Sequence, residues 1–178
     1  FRGEIKCLIL YDDFTKIMLA YPAASKSQAE CVKALKHFGG KCPLVEFHAD
    51  NTPEFEGTAS QLGLVYDATV PYRKTAIINR AIRTLEDITR CCLVQVGNFN
   101  ELWPLAVRYA ATASTISNWN KLYVYGHDFE GLQIPFGAFI HYKPGVPKTK
   151  LGAKTLAGLF LGWRVEAGIQ WKRAYLVC

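Results

Sequence analysis

An apolar, β-prone run, Pro43–Asp50 (PLVEFHAD), ends on an acidic residue and passes directly into Asn51-Thr52-Pro53. Such a segment fits the end of a strand followed by a tight turn and a new helix, which is the grammar of a layered α/β domain. A carboxylate at the end of a buried strand costs free energy unless something binds it, and a divalent metal is one common partner. Asp50 is therefore a candidate metal ligand. Turn or helix capping by the same residue is the plainer alternative.

The flanking sequence builds outward from this segment. Ile5–Tyr11 and Ile17–Tyr21 read as a β-hairpin, with Asp12, Asp13, Thr15 and Lys16 in its turn. Ser25 is expected to cap a helix over Lys26–Phe38, with Ala29, Val32, Leu35 and Phe38 inward and Gly39-Gly40 as the stop. Leu44–Ala49 is the next strand, followed by a short helix at Gly57–Leu62 and a strand at Leu64–Ala68. A helix over Ile77–Leu93 places Ile78, Ala81, Ile82, Leu85, Ile88 and Cys92 inward, and Asn79, Arg80, Arg83, Glu86, Asp87 and Arg90 outward. Asn100–Ser117 forms another helix, with Leu102, Leu105, Ala106, Tyr109 and Ala110 on its apolar side. Beyond Asn118 only short β-prone runs follow: Tyr123–Tyr125, Ile134–Tyr142, Leu156–Trp163 and Ala174–Val177. They predict a small, separate β-rich module, with Trp163 and Trp171 closing it and Trp103 packed in the preceding domain.

Composition narrows the classes. Half of the 178 residues are hydrophobic and a fifth are charged, which excludes a disordered chain. Neither a signal peptide nor a membrane-length apolar run is present, so an intracellular protein without a membrane partner is expected. The first residue is Phe1 and not Met, which predicts a fragment. Residues 1–70 carry 7 basic and 9 acidic side chains, whereas residues 71–178 carry 14 and 6. The basic second half suits a polyanionic partner; a solvated basic face explains the same numbers. The six cysteines have neither C-x-x-C spacing nor a nucleophile signature, which predicts reduced, mostly buried thiols over a Cys–His hydrolase. The four histidines show no metal spacing.

The order of segments is more specific than any one of them. HADNTPEF, VPYRKTAIINRAIRTLEDITR, FNELWPLAVRYAA, IPFGAFIHYKPG and AGLFLGW together resemble the integrase of copia-type retrotransposons over nearly the whole chain. The resemblance implies a ribonuclease H-like mixed sheet flanked by helices over residues 1–117 and a small SH3-like β-module over 118–178. It implies a metal-dependent polynucleotidyl transferase that uses Mg²⁺ or Mn²⁺, held by two aspartates and a glutamate. DNA (element ends and target DNA) is the implied partner, with a homo-oligomer and a nuclear location. Two alternatives remain: a non-catalytic, nucleic-acid-binding remnant of an integrase, and a ribonuclease H-like nuclease outside transposons; the FGAFIHYKPG and GLFLGW segments speak against the second.

Carried over residue by residue, Asp50 matches the second aspartate, and Asn51, Glu54 and Phe55 follow it as in the family, with Thr52 replacing a small residue. The first aspartate belongs to a strand expected before Phe1; Asp12 and Asp13 serve a turn. The family motif Pro-Tyr-Arg-Pro-Gln-Thr-Asn-Gly, two small or apolar residues, then Glu-Arg, is two residues shorter here. Pro71-Tyr72-Arg73-Lys74 leads to Asn79-Arg80, so Asn79 stands at the glutamate position. An amide offers one carbonyl oxygen and no negative charge. The chain as given is therefore expected to be inactive in cutting or joining DNA. Asn51, Tyr72, Arg73, Lys74, Arg80 and Arg83 are the expected DNA-binding residues; a solvated helix with an Arg83–Asp87 pair is the plainer alternative. Lys143, Lys148, Lys150 and Lys154 form a second candidate basic patch.

Overall fold

The computed structural model describes residues 3–68, 75–117, 129–143 and 154–178. Strands β1 (Lys6–Tyr11) and β2 (Met18–Ala23) form the expected antiparallel hairpin, with Tyr11 opposite Met18. Asp12 and Asp13 do belong to its turn: the Asp12 carboxylate accepts from the Thr15 hydroxyl and the Phe14 N–H, and Asp13 pairs with Lys16 at 2.7 Å. Leu8 and Leu10 of β1 pack toward α1, while Cys7, Ile9 and Tyr11 pack toward α3 and α4. Apolar contacts on both faces explain why CLILY is nearly continuous in hydrophobicity.

Helix α1 spans Gln28–Gly39. Its cap is Ser27, two residues later than expected, because the Ser27 side chain, on extended backbone, accepts from the Glu30 N–H. Cys31, Val32, Ala34 and Leu35 are buried, whereas Ala29, ahead of the packed face, is exposed. Gly40 ends the helix at φ 59°, and a Cβ there would lie 2.4 Å from the Gly168 backbone. The glycine pair is thus both a stop and a point of close approach to the turn between the last two strands.

Strand β3 (Glu46–Ala49) runs parallel to β4 (Val65–Ala68), joined by α2 (Pro53–Leu62). Among the described residues the antiparallel pair β1–β2 and the parallel pair β3–β4 do not hydrogen-bond to each other, so they do not make one continuous mixed sheet. The two pairs meet instead through a shared interior of Leu10, Ala34, Leu35, Phe47 and Ala59.

Helix α3 (Thr75–Gln95) has the predicted faces: Leu85 and Cys92 are buried, and all six outward residues are exposed. A 3-10 turn (Asn100–Leu102) then leads into α4 (Trp103–Ser117), which packs against α3 and β2 through Leu85, Val107, Ala110, Ala111, Met18 and Ala20. Trp103 joins this cluster. The edge of β2 is closed by one side chain: the Met18 N–H donates to Thr115 Oγ1 at 3.0 Å, and the Thr115 hydroxyl donates to the Met18 carbonyl at 2.8 Å.

Strands β5 (Phe139–Tyr142), β6 (Leu156–Glu166) and β7 (Gln170–Val177) form an antiparallel sheet in that order. It shares its interior with the preceding elements. Phe160, Trp163 and Ile169 pack with Ile17, Leu19 and Ile116, and Tyr109 of α4 stacks on Trp163 at 5.2 Å. The expected strand Tyr123–Tyr125, Trp119, His127, Lys148 and Lys150 lie outside the described residues. The thiols differ from expectation: Cys31 and Cys92 are buried and Cys7 is half-buried, but Cys42, Cys91 and Cys178 are exposed. The first three sit on packed faces and the last three on solvated ones.

Candidate functional site

Asp50 follows the last residue of β3 and is exposed. The cost of burying a carboxylate therefore does not arise at this position, because water solvates it. Its backbone is held firmly: the Asp50 carbonyl accepts from the Thr52 N–H and from the Tyr66 hydroxyl of β4, both at 2.8 Å. Its side chain caps nothing. The cap position of α2 is Thr52, which makes no side-chain capping bond, and Pro53 opens the helix with a missing N–H. A held backbone with an exposed side chain suits a ligand-facing position as well as it suits a solvated turn.

On α3, Asn79, Arg80 and Arg83 are exposed, and among the described residues neither arginine makes an ion pair. The Arg83–Asp87 pair of the plainer alternative does not form; Arg90 takes Asp87 at 2.6 Å and Glu86 at 3.5 Å. That leaves a cationic helix face open to solvent. No described hydrogen bond or ion pair joins Asp50 to Asn79, Arg80 or Arg83. Tyr72, Arg73 and Lys74, which belong to the segment between β4 and α3, lie outside the described residues. Asn51, Lys143 and Lys154 are exposed.

The donor set at Asp50 does not fit a pair of Mg²⁺ or Mn²⁺ ions. Asp50 belongs to no group of three metal-ligating side chains among the described residues, and Asn79 offers only an amide. The one such group is Glu46, His48 and Asp67, whose ligand atoms all lie within 4.8 Å of one another. Glu46 and His48 are two apart on β3 and share one face; Asp67 of β4 stands opposite His48 in the parallel register. His48 Nδ1 lies 3.0 Å from Asp67 and Nε2 lies 3.2 Å from Glu46. Spacing between histidines along the chain has no bearing on this group. Its signal was Glu-x-His in a strand, with an aspartate in the strand that pairs with it.

Two of the cysteines are poor nucleophiles. Burial pushes the Cys7 thiol up to about 12 and the Cys92 thiol up to about 11, which keeps both protonated and unreactive near neutrality. The described histidines are engaged elsewhere: His37 with Tyr21, His48 with the two carboxylates, and His141 edge-on to Phe139. No helix among the described residues is long and apolar enough to cross a membrane.

No protein-family model matches the chain, and no curated protein matches it. Among solved structures, the chain is similar to the catalytic core domain of BIV integrase, at 16% identity and a TM-score of 0.47, over 62% of this chain and 72% of that one. A likeness of this strength concerns the course of the backbone and carries nothing about activity, metal or partner.

Proposed function

We propose that this chain is a DNA-binding core of the integrase type, from a copia-type retroelement, which holds DNA through its phosphates and does not cut or join strands by itself. The observation that carries this reading is the exposed face of α3 on which Arg80 and Arg83 follow Asn79 without an ion-pair partner among the described residues. Phosphate contacts of this kind need charge and reach and no base recognition. The order of sequence segments from HADNTPEF to GLFLGW supports the assignment to that element type. With Asn79 replacing a carboxylate, the set of anionic ligands needed for metal-assisted displacement is incomplete. On this reading β5–β7 are the SH3-like module of such polyproteins, Tyr72, Arg73, Lys74 and Asn51 extend the DNA-facing surface, and the protein works in the nucleus as a homo-oligomer on DNA.

Two measurements test this. Binding to a duplex element end should weaken linearly on a log–log scale with salt. Arg80→Glu with Arg83→Glu should lower the slope by about 2 and the affinity at least ~10-fold, since each phosphate contact contributes about 0.9 to the slope. Binding that ignores salt, or that survives both charge reversals unchanged, defeats the proposal. Strand transfer by the chain with Mg²⁺ or Mn²⁺ would defeat the claim of inactivity.

A further inference from the structure

We propose that the solvent face of β3 and β4 is a site for one divalent transition-metal ion, with Zn²⁺ the best fit, bound by His48 Nε2 and Glu46 Oε1 and oriented by Asp67. This goes beyond the DNA-binding reading and does not depend on it.

Register fixes the geometry. Glu46 and His48 project from the same face of β3, and the parallel pairing sets Asp67 directly across from His48. The three donors therefore come from two hydrogen-bonded strands and not from a loop, which limits how far they can drift apart. The 3.2 Å between His48 Nε2 and Glu46 Oε1 is a hydrogen-bonding distance. It is also the spacing of two neighbouring ligands on one ion, since bonds of about 2.0–2.1 Å at a tetrahedral angle put the donor atoms ~3.3 Å apart. Asp67 Oδ2 lies 3.0 Å from Nδ1, and a carboxylate at that distance favours the tautomer protonated at Nδ1, which leaves Nε2 for the metal. A carboxylate behind a metal-binding imidazole fixes its tautomer, its ring orientation and its basicity.

The donor chemistry selects the ion. An imidazole nitrogen with a carboxylate oxygen favours Zn²⁺ and its neighbours over Mg²⁺, which takes oxygen donors and keeps its waters. The side chains of His48 and Asp67 are 39% exposed and that of Glu46 is 50% exposed, so an ion can enter and water can complete its coordination. Two direct protein ligands predict modest affinity, and protons compete with the ion for the imidazole.

The test is isothermal titration of the EDTA-stripped, full 178-residue chain with Zn²⁺ and with Mg²⁺, together with Co²⁺ absorbance. One equivalent of Zn²⁺ should bind, with Mg²⁺ at least ~10-fold weaker given the nitrogen donor. His48→Ala should abolish binding, and Glu46→Gln, which keeps the shape of the side chain, should weaken it at least ~10-fold. Asp67→Asn should weaken it ~10–100-fold by loosening the imidazole. A variant with Cys42→Ser, Cys91→Ser and Cys178→Ser should bind as the parent does, and bound Co²⁺ should show no thiolate charge-transfer band. No Zn²⁺ uptake by the parent chain, or uptake undiminished by both His48→Ala and Glu46→Gln, overturns the proposal whatever the DNA-binding result.

Discussion

The terminal three-stranded sheet and the β3–β4 pair are both small β units, but they are built for opposite purposes. In β6, Phe160, Leu161 and Trp163 are all buried, and the sheet shares aromatic contacts with α4 through Tyr109. In β3 only Phe47 is buried; the opposite face carries Glu46 and His48 to solvent, with Asp67 across from them. One region holds the molecule together. The other anchors a single apolar face and turns Glu46 and His48 toward solvent. Stability and chemistry are thereby placed on different strands, so either can be perturbed with little effect on the other.

Mutations can break this contrast at several strengths. The largest effect is expected at Phe160, which is fully buried. Phe160→Ala should cost about 3–5 kcal/mol in urea unfolding; a loss under 1 kcal/mol would mean that the terminal sheet is not a stabilising centre. Next comes Thr115, whose hydroxyl satisfies both backbone groups of Met18. Thr115→Val should cost about 1–3 kcal/mol by leaving a buried strand edge unpaired, and amide exchange at Met18 should rise with it.

A smaller, pH-dependent effect belongs to His37. Burial holds its imidazole below the ordinary 6.5, and its Nδ1 meets the Tyr21 hydroxyl at 2.9 Å. Because the folded value is depressed, the folded state favours the neutral ring. Its contribution is present above pH 6.5 and is lost as pH falls through the lower folded value. Thermal stability should therefore fall as the pH drops below 6.5, and His37→Gln should flatten that limb; an unchanged acid limb would assign it to other groups. The smallest effect is expected on the open face. His48→Ala should change stability by less than ~0.5 kcal/mol, as surface substitutions usually do. A large loss there would erase the distinction between the two regions.

Much of the architecture could be read from residue patterns because periodicity is local. The hairpin, α1, α3 and α4 follow from apolar spacing, and the inward and outward faces of α3 were legible residue by residue. Boundaries were less so: Ser25 and Ser27 are chemically equivalent caps, and only the backbone path chooses Ser27. The exposure of Asp50 was not legible either. An apolar run announces one buried face but does not say whether a second layer covers the other. The Glu46–His48–Asp67 group is not legible in the sequence, because its third member is 19 positions along the chain from the second and joins it only through strand register.

The sequence by itself determined the hairpin, the helical periodicity of α1, α3 and α4, and the charge contrast between the two halves. These are properties of residue type and near-neighbour spacing. Only the tertiary structure decided that Arg90 and not Arg83 takes Asp87, that Thr115 closes the edge of β2, and that three donors converge on β3 and β4. Each depends on a distance from one side chain to another group, some from distant parts of the chain, and packing sets that distance where composition cannot.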